Sequence, residues 1–336
     1  MTDSRVLDRE NDVLDEEQRA DRFLDLVARL SHQSVVKHFD AYADIAWDDP
    51  EFAIDATDPR WELSPDSALG ATEWYRNQPP EVRARIGLHS IATNMKAGLQ
   101  FESVLKRGLL EFAFGLPDNS PEFRYAYHEV IEEAQHSLMF QEFVNRCGLE
   151  VPGLRWDLKL GARRVIWMAR RFPSMFFVFV LAGEDPIDHV QRTALRSGRE
   201  LHPLLERIMR IHVTEEARHL SFARQYLRTN AASLSWWQRQ RIATLTPFIL
   251  VSMAGVMMRP PAALIRTYDI PKPVIKEAYG PGSIAREQTQ ASLRKVRDLL
   301  DDLGLITSFS RRLWKAFGIW EPTKPAAEPE GAPASA

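Results

Sequence analysis

The sequence predicts an all-α protein, and three observations carry that prediction. Apolar residues recur at spacings of three and four along most of its 336 residues. Most of the prolines and glycines fall at the joints between these periodic stretches. Alternating apolar and polar runs of the strand type are scarce.

Taken in order, residues 1–14 are polar and patternless and read as a flexible arm. Helices follow at 15–37, 80–115, 121–147, 157–171, 173–197, 202–230, 235–258, 262–280 and 283–304. Their joints carry Pro79-Pro80, Pro117, Pro121, Gly148, Pro152, Pro173, Gly198, Pro203 and Pro260-Pro261, residues that start or stop helices. Residues 38–70, with several Asp-containing turns and Pro59, read as a long irregular connection. No composition shift marks a linker, so 15–320 reads as a single domain. The end, 321–336, is Pro, Ala, Gly and Glu with no large apolar residue and reads as a disordered tail.

Composition narrows the function. The chain is 45% hydrophobic and 26% charged, as soluble globular proteins are. Its net charge of -3 supplies no basic field for nucleic acid. The single cysteine, Cys147, excludes an intrachain disulfide and a Cys-rich zinc site and points to a reducing cytoplasm. The opening Met1-Thr2-Asp3-Ser4-Arg5 does not read as a secretion signal. Ile242 to Met258 is a run of 17 uncharged residues, short for a membrane span and interrupted by Pro247. It reads as a buried core helix, without stable membrane insertion. There is no P-loop, nucleophile elbow or dinucleotide-binding glycine pattern.

The chemistry lies in acids and histidines on apolar helix faces. Glu132-Glu133-Ala134-Gln135-His136 and Glu215-Glu216-Ala217-Arg218-His219 each contain Glu-x-x-His, which puts both side chains on one face, one turn apart. Two such pairs are unremarkable by count, so context decides. Ile91, Met95, Gly98, Glu102, Leu105, Leu109 and Phe112 form one stripe in which only Glu102 is charged. Glu184 repeats the anomaly after the apolar run Phe176 to Leu181. A buried carboxylate is costly unless it is paired or binds a metal. Glu102 lies 31 residues before Glu133, and Glu184 lies 32 before Glu216. This is a duplicated helix pair, each half giving a lone Glu and a Glu-x-x-His. The ferritin-like dinuclear bundle uses that inventory, and four carboxylates balance two divalent ions. Glu and His ligands suit iron or manganese. His212, one turn before Glu216, offers a third imidazole. Glu132 and Glu215 are candidates to hydrogen-bond metal-bound imidazoles, with Glu129 a weaker one. Lys106 alternatively pairs with Glu102 on a solvated face.

This constellation resembles the p-aminobenzoate N-oxygenase (AurF-like) family of non-haem di-iron oxygenases, which has an extra histidine one turn before its second Glu-x-x-His. The likeness runs from Glu102 to Arg224, and the helical layout agrees over most of the chain. It implies a ferritin-like helical bundle with additional helices. It also implies seven protein ligands: Glu102, Glu133, His136, Glu184, His212, Glu216 and His219. The cofactors would be two Fe ions, or a mixed Fe/Mn pair, with O2 as cosubstrate activated through a peroxo-type intermediate. The implied reaction is oxygenation of an aromatic amine nitrogen, with electrons from an external ferredoxin/reductase-type donor. Pro186 departs from the pattern and predicts a kink or bulge beside Glu184. Phe101, Phe112, Tyr127, Phe177 and Phe179 are candidate pocket walls. Long exposed helices in such bundles commonly pair, so a homodimer is expected.

Other readings stay open at this level. They are a di-iron oxidase or desaturase of an acyl or other organic substrate, and an iron-storing or iron-oxidising protein without organic substrate. A radical-generating subunit using Tyr125 or Tyr127 and a metal-free scaffold complete the set.

Overall fold

The computed structural model describes residues 16–320; the arm expected over 1–14 and the tail expected over 321–336 lie outside the described residues. Among the described residues there are thirteen α-helices and no strand. They are α1 (Glu16–Val36), α2 (Glu73–Arg76), α3 (Pro80–Phe114), α4 (Pro121–Arg146), α5 (Trp156–Arg171), α6 (Pro173–Arg196), α7 (Pro203–Asn230) and α8 (Trp236–Met257). The short helices α9 (Ala262–Thr267), α10 (Lys272–Tyr279), α11 (Ile284–Ser292), α12 (Arg294–Asp302) and α13 (Ser308–Ala316) follow.

The seven long helices fall within a residue of their expected bounds; in α3, α4 and α6 proline at the first turn and glycine past the last one mark both ends. Gly198, at φ 70°, takes the left-handed conformation just beyond α6. The C-terminal third departs from expectation. The single helix expected over 262–280 breaks at Tyr268-Asp269-Ile270-Pro271, where Asp269 has φ 48°, a conformation Asp tolerates better than most residues. The one expected over 283–304 divides at Leu293. Helices α2 and α13 were not expected. The α13 capping box pairs Thr307 with Ser310 rather than with a Glu or Gln, so it lacks the usual sequence signature.

Two hairpins with short connections, α3/α4 and α6/α7, make the four-helix core, joined by α4 against α7 and α3 against α6. Helix α1 packs along α4 and α7, α5 crosses α3 and α6, and α8 lies on α6. Along α3, α4 and α7, apolar residues gather on either side of a polar middle, while α6 joins one side alone. One cluster holds Leu105, Tyr125, Phe177 and Phe222; the other holds Met95, Phe140, Phe143 and Ile208. The candidate site residues lie between them.

The connection over 38–70 is irregular, as expected, with 3-10 turns capped by Asp49 and Asp58. It drives Trp61 into the second cluster, stacked on His202 at 4.0 Å.

Two expectations are changed. Helix α6 runs unbroken through Pro186, so of the expected kink or bulge the bulge does not form; the proline withholds an amide from the Ala182 carbonyl. Helix α8 is not a buried core helix. Trp236–Thr267 is apolar and long enough to cross a membrane by length and composition (mean hydropathy 1.7), yet only 22% of its most apolar stretch is buried. Ile242, Thr246, Leu250, Ala254 and Met257 face inward and leave the opposite side uncovered.

Candidate metal centre

Helix α3 presents Glu102, α4 presents Glu133 and His136, α6 presents Glu184, and α7 presents His212, Glu216 and His219. All seven are buried. They gather into two groups, Glu102 with His136 and His212, and Glu133 with Glu184, Glu216 and His219. Within each group the ligand-type atoms lie within 4.8 Å of one another. Glu133 spans the groups: Oε2 lies 3.8 Å from His136 Nδ1 and Oε1 lies 3.1 Å from His219 Nδ1. Glu216 Oε1 lies 3.6, 3.5 and 3.4 Å from the inward nitrogens of His136, His212 and His219.

The outward nitrogens explain why the inward ones are free. His136 Nε2 faces Glu215 at 2.9 Å and His219 Nε2 faces Glu132 at 2.8 Å. Each carboxylate serves the imidazole of the other hairpin, a crossing that sequence spacing does not disclose. With a carboxylate accepting from Nε2, Nδ1 is the nitrogen that faces inward, and its lone pair is freed when the second ring proton leaves. His212 is turned the other way: Nδ1 lies 2.9 Å from Gln191 Oε1, which leaves Nε2 inward.

Arg218 joins the crossing pair, with NH2 2.8 Å from Glu132 and 3.4 Å from Glu215. The Phe39 amide donates to Glu215 at 3.2 Å. The Lys106 ammonium donates to the Glu133 carbonyl at 3.1 Å and to the Ser137 hydroxyl, which donates to Glu102 at 2.9 Å. Lys106 therefore sits in the α3/α4 seam, not in a surface pair with Glu102. Arg218, Ser137 and Gln191 were missed from sequence. Arg218 lies three residues from Glu215, and Gln191 two turns beyond Glu184, but Arg224 has equally good helical spacing to the same region.

Burial raises every carboxyl here, and the imidazoles decide which stay ionised. The flanking His136 and His219 outweigh burial at Glu133 and hold it well below the usual range; the charge of His219 does the same at Glu216. Burial prevails at Glu102 and, with the charges of Glu216 and Glu133, at Glu184, so both are raised. His136 and His219 are raised in turn, the surrounding carboxylates outweighing burial. Glu132 overcomes burial through His219 and Arg218 and is drawn down to about 2. Glu129, buried one turn before Glu133, is pushed up to about 8 by burial. In the chain without cations, protons hold this centre together.

A cavity of about 190 Å³ adjoins Glu102, Glu184, His212 and Glu216 and is walled by Phe101, Phe140, Ile187 and Met257. Of the five aromatic walls expected, only Phe101 lines it. Phe112 and Phe177 turn into the core against Tyr226, Tyr127 is exposed beside Phe123, and Phe179 backs Phe101 from behind. Gly183 is required here, since a Cβ would collide with the Phe101 ring.

The donor set fits cations. Both oxygens of Glu133 and of Glu184, Oε2 of Glu216, and Nδ1 of His136 and of His219 are buried without a hydrogen-bond partner. Buried polar atoms are ordinarily satisfied, so a converging group of orphaned lone pairs calls for a Lewis acid.

Comparison with known proteins agrees with this geometry. The family profile described as P-aminobenzoate N-oxygenase AurF matches residues 22–304. The chain is 42% identical over 309 residues to uncharacterized protein MT0908 of Mycobacterium tuberculosis (strain CDC 1551 / Oshkosh), covering 92% of this chain and 91% of that one. It is 41% identical over 309 residues, with the same coverage, to uncharacterized protein Mb0909 of Mycobacterium bovis (strain ATCC BAA-935 / AF2122/97). No solved structure matches. With a ferritin-like all-α bundle and a match over most of its length, the chain belongs to the p-aminobenzoate N-oxygenase AurF family of di-iron oxygenases.

Proposed function

We propose that 15–320 is one di-iron oxygenase domain that N-oxygenates an aromatic amine with O2. Glu102, Glu133, His136, Glu184, His212, Glu216 and His219 are its metal ligands. The observation that carries this reading is the set of orphaned buried polar atoms, with all three imidazoles turned so that one ring nitrogen faces the centre. Glu133 and Glu216 each lie near more than one imidazole and would help to hold the metal ions. When bound, the two iron ions supply the electrons that reduce O2.

The protein's own groups do the rest. Glu132, Glu215 and Gln191 hold the imidazole tautomers and orientations. Arg218 holds the crossing carboxylates in place. The apolar walls hold the substrate beside Glu102 and Glu184 and keep water from the centre. An external ferredoxin/reductase-type donor restores the electrons. The outer face of α4 carries Phe123, Tyr127, Ile131 and Leu138 exposed along one stripe, which suits a homodimer. The lone cysteine favours a cytoplasmic setting.

The test is to load the protein with ferrous iron without air, mix it with O2, and offer arylamines with product analysis by mass. Oxygen transfer to nitrogen is expected. Iron oxidation that builds a mineral, with no amine product, would contradict the proposal. A second reading, oxidation of an acyl chain, is favoured by one feature: Phe101 and Met257 also wall a larger apolar cavity behind them. Turnover of fatty acyl substrates instead of arylamines would select it.

A further inference from the structure

The outer face formed by α5 and α8 is unlike the rest of the surface. On α5, Trp156 (76% exposed), Leu160 and Trp167 (65% exposed) lie along one line, and Ala169 is the helix's only buried residue. Beside that line run Lys159, Arg163, Arg164, Arg170 and Arg171. From Arg155 to Arg171 there are six cations and one carboxylate, Asp157, which pairs with Arg155 at 3.0 Å. This excess sits in a chain whose net charge is -3. On α8, Trp237, Arg241, Leu245, Phe248, Ser252 and Gly255 are exposed at spacings of three and four, with no charge after Arg241. Between the two helices lies an apolar cavity of about 440 Å³, lined by Leu158, Val165, Leu245, Phe248 and Met253. It ends on Phe101 and Met257, the residues that also wall the metal-centre cavity.

We propose that this α5–α8 face docks on an anionic lipid bilayer. A basic helix with tryptophans on its outer line has the composition of helices that lie in the headgroup plane. The stripe of α8, uncharged beyond Arg241, borders the same cavity as α5 and suits contact with the acyl boundary. Helix α8 does not span: Ile242, Thr246, Pro247 and Leu250 are buried, and the helix packs on α6. A second copy of the chain is disfavoured, because it would set cations against cations. An acidic soluble protein would satisfy the cations but leave the tryptophans and the α8 stripe uncovered. The docked cavity opens toward the acyl region, so that, on the oxygenase reading above, an apolar substrate reaches the centre without crossing water. Docking itself does not depend on that reading.

The full chain is floated with vesicles of phosphatidylglycerol and phosphatidylcholine, or of phosphatidylcholine alone, and its tryptophan fluorescence is read with acyl-brominated lipid. Binding to the anionic vesicles should exceed the neutral level by roughly tenfold or more and weaken with salt. Arg163→Glu with Arg164→Glu, or the milder pair to Gln, should bring it to the neutral level while helicity and metal content are kept. Bromine quenching should diminish in Trp156→Ser/Trp167→Ser. Three results would overturn the proposal: no preference for anionic vesicles, salt-sensitive binding without bromine quenching, or a wild-type dimer that the arginine variants dissociate.

Discussion

The two hairpins carry the same inventory and hold it differently. In α3/α4, Glu102 accepts from Ser137, with Lys106 behind. In α6/α7, Glu184 has no hydrogen-bond partner for either oxygen. The second hairpin alone adds an inward imidazole, His212, and the cation that serves both halves, Arg218. Duplication supplies a symmetric set of candidate ligands, while the neighbours decide which half is preorganised. Glu102 is held in place by Ser137, and neither oxygen of Glu184 is held by a hydrogen bond.

The largest break in this comparison is Glu184→Ala. It should reduce bound metal from two ions per chain to at most one, by elemental analysis, and Glu102→Ala should do the same. Retention of two ions by either variant would show that the wrong carboxylate has been assigned to that half.

Arg218→Leu comes next. It strips the shared cation from two buried carboxylates, Glu132 and Glu215, and should destabilise the metal-free chain by about 3–5 kcal/mol in urea unfolding. A change within a few tenths would mean that the crossing needs no clamp.

Glu132→Gln and Glu215→Gln sharpen the comparison. Each should weaken metal affinity by about 10–100-fold. Because the contacts cross, Glu132→Gln should perturb the ion at His219 and Glu215→Gln the ion at His136. Spectroscopy of singly loaded protein distinguishes this from a same-helix pattern.

The smallest effect is a pH dependence. The Glu129 carboxyl, ordinarily at 4.5, is pushed up to about 8 by burial. Its folded form therefore holds a proton that the unfolded chain releases. Its contribution to the stability of the metal-free chain is full below the unfolded value and is lost as pH rises through about 8. Glu129→Gln should flatten that decline between pH 4.5 and about 8 in thermal unfolding; an unaltered slope would assign the decline to another group.

The gathering of the seven side chains was legible from sequence because a carboxylate inside an apolar stripe breaks a strong pattern, as Glu102 and Glu184 do. The helix ends were legible because proline and glycine mark them. Three things were not. The crossing of Glu132 and Glu215 depends on how two distant helices face each other, which no local spacing encodes. The pocket wall depends on rotation about each helix axis, so Phe112 and Phe177 turned to the core while Phe140 and Met257 took their place. The partial exposure of α8 was hidden because an apolar run looks the same whether it faces protein or lipid.

Two iron ions held by the seven residues are the central claim, and anaerobic titration of the metal-free chain with ferrous iron tests it most directly. Two ions per chain are expected, with proton release as the raised carboxyls and imidazoles give up theirs. No binding, or a single ion that leaves Glu184 protonated, would contradict it.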